Sequence, residues 1–357
     1  MYWAYIGTWP DRDHLGRLYD LSDGVAFDRR LTPLADGFFI VLWLFRADLD
    51  YLHSFGLGMP GGFCYLCGAN NACLPFTDVR KHAEWKQTIW TNRNYAIAFP
   101  TRHKLLRHIP GFSIAGFCPD YLHTKHLGVD AQLLAGILLF MVTHMMPDEI
   151  DDNLTVLWAE IKEKYVELKT KNRLGALTKS MIIKGSAVVP MLNGPRGVQI
   201  KDLLPVVRIL FIKHMERNNL RHRDMLLALN ASCTIEEILF RCHGFYALPP
   251  REASDFSENC SLLCKAIVAS IKKCDPLEPF FNFTIKTHQM IHFGICGEYM
   301  NPQMGSCYDG EVLMGIVRKL VQGVARGSKP LTVSNNALQR YLHALFIDVQ
   351  NAKGLFR

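Results

Sequence analysis

Cys64-Tyr65-Leu66-Cys67 follows a glycine-rich turn, Gly56-Leu57-Gly58-Met59-Pro60-Gly61-Gly62-Phe63, and precedes Gly68. Two thiolates at that spacing on a tight turn can share one tetrahedral metal. Such a half-site needs two more ligands, and where they come from decides how the chain must fold. Cys73 and His82 are near in sequence, Cys118 lies further on, and His288-Gln289-Met290-Ile291-His292 lies far away. Two imidazoles four positions apart lie on one face of a helix and can also share a metal. A redox pair or two unrelated buried cysteines are the alternatives. No thioredoxin-like strand–helix context surrounds the motif to favour redox chemistry.

A second dense stretch is Cys118-Pro119-Asp120-Tyr121-Leu122-His123. Asp120 can cap the helix that follows, and His123 sits one turn on, so the two side chains share a face. The cap alone would account for Asp120. His126 and Lys125 close by give the stretch a chemical neighbourhood. Upstream, Phe38-Phe39-Ile40-Val41-Leu42-Trp43-Leu44-Phe45 is an unbroken apolar run. Its length and its β-branched and aromatic content predict a strand buried on both faces, with a buried helix as the competing reading. It ends at Arg46-Ala47-Asp48, and the C-terminal tip of a central strand is where open α/β sheets place their chemistry. A solvated turn acid is the plainer reading of Asp48.

Residues 1–37 read as an irregular lead-in. Residues 76–108 interleave Arg80, Lys81, Lys86 and Arg93 with Trp85, Trp90, Tyr95 and Phe99. That pattern suits a groove tracking a nucleic-acid backbone, or equally an amphipathic helix with a core-facing aromatic stripe. Residues 129–283 are mainly helical by periodicity, with helices expected over 203–215, 225–231, 234–243 and 260–273. Breakers fall at Pro190, Gly194-Pro195, Pro249-Pro250 and Pro276–Pro279. Glu311 falls in the first turn of an amphipathic helix over 312–324, a position the helix dipole favours. Arg318, Lys319 and Arg326 on or near that helix suit phosphate contacts or a solvated face.

The chain of 357 residues is 49% hydrophobic and 20% charged, which excludes disorder as a whole-chain description. Its net charge of +7 permits a nucleic-acid partner without requiring one. Eleven cysteines without a secretory opening predict a reducing compartment. The apolar stretch 133–146 is shorter than a membrane span of about 20 residues and carries Thr143 and His144, so a buried helix is expected and no membrane partner.

The order of these motifs resembles the catalytic core of cut-and-paste DNA transposases with a ribonuclease H-like fold. The likeness is to the CACTA and Plavaka-like groups and to the transposon-derived large subunit of the V(D)J recombinase. Arg46-Ala47-Asp48-Leu49 matches the second catalytic Asp, without its usual proline. A CxxC motif, a Cys-or-Asp–x–x–His signature at Asp120–His123, a helical insertion, a His pair and a helix-opening Glu311 follow in the family order. The resemblance implies an α/β fold: a ribonuclease H-like core interrupted by a large helical insertion, with a structural zinc site. The core would occupy 38–128 and 284–357, with the insertion at 129–283.

Cys64, Cys67, His288 and His292 would hold one Zn2+ that staples both ends of the insertion to the core. Asp48, Asp120, His123 and Glu311 would be catalytic, with Mg2+ as the catalytic ion. Arg80, Lys81, Lys125, Arg318, Lys319 and Arg326 would meet DNA. A homodimer and a nuclear location, with cytoplasmic as the fallback, also follow from the resemblance. The family's first catalytic Asp has no evident counterpart. Asp11, Asp13, Asp20, Asp23, Asp28 and Asp36 precede Asp48, and none follows a convincing buried strand. An element copy that has lost its first strands, a truncated gene model or a domesticated derivative is therefore expected, with cleavage impaired by the missing acid. Two other readings stand beside the nuclease: a non-catalytic, zinc-stabilised DNA- or chromatin-binding protein, and a helical scaffold with a local zinc knuckle.

Overall fold

The computed structural model describes residues 2–7, 39–47, 52, 64–70, 73–99, 114–183 and 189–308, together with 318–319, 321–323, 332–333, 336 and 338–341. The chain divides into two units, Met1–Ser306 and Cys307–Arg357. In the second unit the described positions 318–319, 321–323, 332–333, 336 and 338–341 are helical.

The first unit carries a three-stranded sheet in the order β1-β2-β3. β1 (Tyr2–Gly7) runs antiparallel to β2 (Phe39–Ala47), with a register shift between Trp3 and Ala4. β2 thus realises the strand reading of the apolar run, at the centre of the sheet. β3 (Phe117–Pro119) is parallel to β2, pairing Phe45 with Phe117, Arg46 with Cys118 and Ala47 with Pro119. A parallel neighbour requires a long crossover. Here the intervening chain holds the CxxC turn, a 3₁₀ turn at Glu84–Thr88 and the short helix α1 (Asn92–Ala98).

The rest of the first unit is helical. α2 runs over Leu122–Met145 and is π-helical at both ends, Leu122–Asp130 and Met141–Met145, around an α-helical middle. It is long and apolar enough to cross a membrane by length and composition, but 78% of its most apolar window is buried within the protein. Leu134, Ala135, Ile137 and Leu138 are fully buried, which makes α2 the core helix. α3 (Ile150–Glu167), α4 (Gly197–His214), α5 (Leu220–Arg241), α6 (Pro250–Lys273) and α7 (Ile285–Cys296) complete the body.

α6 packs along both α5 and α7. Ala253, Phe256, Cys260, Leu263, Cys264 and Ile267 recur at helical spacing and are all buried. Each fully buried Leu, Ile or Phe of this kind contributes about 1.5–3 kcal/mol. The prolines at 190, 195, 249, 276 and 279 all fall outside these helices, as expected, and Pro250 opens α6 where its missing N–H costs nothing. Three expectations change. The lead-in expected to be irregular over 1–37 carries strand β1 at Tyr2–Gly7, which pairs with the apolar run of β2. Helices anticipated at 225–231 and 234–243 are one helix, α5, because no Gly or Pro lies between them. Residues 76–99 form no long amphipathic helix: Pro75, the Asp78–Arg80 turn and the capping box at Thr91 divide the segment into short pieces.

Candidate metal centre

The Cys64–Ala69 turn closes on itself, with the Cys64 N–H donating to the Ala69 carbonyl at 2.9 Å. The Leu66 N–H points at Cys64 Sγ and the Ala69 N–H at Cys67 Sγ, each at 3.4 Å. Amide donors aimed at sulfur favour the thiolate. On the other side, Thr284 caps α7 in a reciprocal box with Thr287. The next turns of that helix present His288 and His292 on one face.

The two elements meet. Cys67 Sγ lies 3.3 Å from His288 Nε2, and Cys64 Sγ lies 3.6 Å from His292 Nε2. The two Nε2 atoms are 3.1 Å apart, and all four ligand atoms fall within 4.8 Å of one another. All four residues are buried. Zn–S bonds of about 2.3 Å and Zn–N bonds of about 2.0–2.1 Å around a tetrahedron set ligand separations of roughly 3.3–3.8 Å. The observed spacings match that range to within a few tenths of an ångström. This cluster can hold a metal such as zinc, and it joins residues 221 to 228 positions apart in the chain.

Burial pushes the Cys64 thiol up, but the Cys67 hydrogen bond and the charge of His292 outweigh it and hold it well below the usual range. Cys67 goes the other way, raised by its hydrogen bond to Cys64 and then by burial. A metal binds both sulfurs as thiolates, so binding would release the proton held at Cys67. Burial lowers His288 and keeps its ring neutral, the form a metal requires.

Trp85 walls the site. Its ring stands edge-on to His288 at 4.4 Å and tilted to His292 at 5.5 Å. The indole N–H donates to the Asp78 carbonyl at 2.7 Å, which fixes the ring. The aromatic pattern around residue 85 was legible as a stripe, but not as the wall of a metal site. Cys73 and His82 are exposed and outside the cluster, so a local knuckle is not what forms.

Asp120 sits one residue past the β3 end, where Pro119 pairs with Ala47, the last described residue of β2. Its carboxylate accepts from the Leu122 N–H at 3.1 Å and the His123 N–H at 3.0 Å. It also pairs with His123 Nδ1. Asp120 is buried and His123 partly exposed, so the acid orients the ring. Asp48 and Glu311 lie outside the described residues, as do Arg326 and all six acids considered for the first catalytic position.

Among the proposed DNA contacts, Arg80 and Lys81 are exposed, and Arg80 is engaged by Asp78 at 2.7 and 2.9 Å. Arg318 and Lys319 are exposed in the second unit. Lys125 is corrected: it is fully buried and reaches no surface. Its ammonium donates to Asp130 at 2.6 Å and Ser232 at 2.8 Å, and pairs with Glu236 at 3.1 Å. Glu236 in turn accepts from the Tyr121 hydroxyl at 2.7 Å and contacts His126 at 2.9 Å. His126, Asp130 and Glu236 alone would resemble a metal triad, but the Lys125 ammonium already fills the role of the cation.

Comparison of the chain with family models, curated proteins and solved structures finds no match.

Proposed function

We propose that this chain is a transposase-derived protein whose ribonuclease H-like core is stapled by a structural zinc ion and which acts on DNA. The observation that carries this reading is the long-range Cys64–Cys67–His288–His292 assembly, which has the ligand order of the family. It favours the stapled core over a scaffold with a local knuckle. The parallel β2–β3 register adds support, since it sets the Asp120–His123 pair one step beyond the strand tips.

In this reading zinc ties α7 to the CxxC turn and takes no part in the chemistry. His123, held by Asp120, contacts the scissile phosphate. Asp48 and Glu311 would hold Mg2+, which activates the attacking oxygen and stabilises the leaving one in an in-line phosphodiester displacement and strand transfer. Of the cations expected to meet DNA, Arg80, Lys81, Arg318 and Lys319 are exposed, with Arg80 also paired to Asp78. A homodimer and a nuclear location belong to the same proposal.

The test is nicking of supercoiled plasmid with Mg2+ or Mn2+, beside Asp48→Ala and Glu311→Ala. Because the first catalytic Asp is not evident, the nuclease reading expects metal-dependent nicking by the wild type where an N-terminal acid completes the set, lost in both variants at unchanged zinc content. DNA binding that weakens steeply with salt, without nicking, would move the conclusion to a non-catalytic DNA-binding protein. Neither binding nor nicking would sink both.

A further inference from the structure

Beside the Asp120–His123 pair is a cavity of about 10 Å³, room for roughly one water-sized atom. Tyr65, Asp120, His123, Thr124, Lys286 and Gln289 supply its polar lining. Tyr65 and Gln289 are each only 1% exposed, and the Tyr65 hydroxyl and the Gln289 Nε2 have no hydrogen-bond partner. Buried polar groups are rarely left so, because an unmet donor costs its full desolvation. The Gln289 carbonyl oxygen is already taken by the Thr124 hydroxyl at 3.4 Å, which leaves its NH2 as the group without a partner.

Lys286 is held nearby by shape. Its stem crosses α2 at Gly128, where a Cβ would stand 2.7 Å from Lys286 Cδ. Asp120 is the acid of the lining, and its oxygens are occupied by the Leu122 and His123 amides and the His123 ring. Beside Asp120, the cavity thus offers three donors, a phenol, an amide NH2 and an ammonium, and the His123 ring, which donates through Nε2 when protonated. The first two are buried, and His123 and Lys286 are partly exposed.

We propose that this cavity seats one oxygen of a phosphate group, with Tyr65 and Gln289 as buried donors and Lys286 and His123 at its mouth. The cavity is too small for a whole phosphate, so the group is held by one oxygen while the remainder stays outside. This deepens and rests on the DNA reading, in which that phosphate belongs to the nucleic-acid backbone. Free phosphate offers the same chemistry.

The experiment uses the full chain, with zinc content measured for each variant. Wild type, Tyr65→Phe, Gln289→Leu and Lys286→Ala are titrated with a short labelled DNA duplex by anisotropy. In parallel, inorganic phosphate is tested for its effect on Tm. The expected result is DNA affinity about tenfold weaker in Tyr65→Phe and Gln289→Leu, with zinc unchanged. Tyr65→Phe should also keep or raise Tm without phosphate, since it removes a hydroxyl that has no partner in the fold. A purely structural hydroxyl would lower it. DNA bound with wild-type strength by all variants, and no phosphate effect, overturns the pocket and leaves the DNA reading standing. No DNA binding by the wild type, with phosphate raising Tm only when Tyr65 and Gln289 are intact, supports the pocket and removes the DNA reading.

Discussion

An ammonium buried among two carboxylates and a hydroxyl is stable only as a set. Removing Lys125 leaves the buried Asp130 without its cation and Glu236 with only His126 at 2.9 Å and Lys201 at 3.4 Å, so Lys125→Met should destabilise by about 3–5 kcal/mol in urea unfolding. The network also sets a pH dependence. Burial pushes the Glu236 carboxyl up, but Lys125 and then His126 outweigh that and hold it well below the usual range. A depressed carboxyl contributes stability fully above its unfolded value of about 4.3 and loses it as pH falls through the folded value. The cost of Glu236→Gln should therefore be large at neutral pH and shrink below about pH 4, read as the difference in urea midpoints.

The sequence made Lys125 look like a surface cation, because lysine is almost never fully buried. It stands five residues before Asp130, and a π-helical turn brings such a pair together. A search for 3.6-residue periodicity passes over that spacing. The Asp120–His123 pair was legible, since a cap and a residue one turn on depend only on local geometry.

At the scale of elements, α2 and the chain before α7 approach closely at Gly136. A Cβ there would stand 2.3 Å from the Phe280 backbone oxygen, which cannot move aside as a side-chain tip could. Gly136→Ala should cost about 1–3 kcal/mol by overpacking, visible as a lower Tm with zinc content retained. At Gly128 a Cβ would meet both the flexible Lys286 stem at 2.7 Å and the His123 backbone oxygen at 2.8 Å, so Gly128→Ala should lower Tm as well as disturb phosphate or DNA binding. The helices were largely legible, since apolar spacing and prolines mark them without reference to the fold. The division of residues 76–99 into short pieces was not, because the pull of Trp85 toward His288 and His292 is tertiary.

Across the whole molecule, the Cys64 turn and α7 are joined by four ligands that the sequence keeps far apart. Each pair could be read as half a site from its spacing. Only the resemblance joined the halves, because spacing alone left Cys73, His82 and Cys118 as competitors. The most direct measurement is zinc per chain for the purified wild type, beside the His288→Ala/His292→Ala double variant. The account predicts about one zinc in the wild type, lost in the double variant together with much of the thermal stability, since structural zinc contributes directly to folding. Zinc retained at full stoichiometry in the double variant would contradict it, and the long-range staple would have to be abandoned.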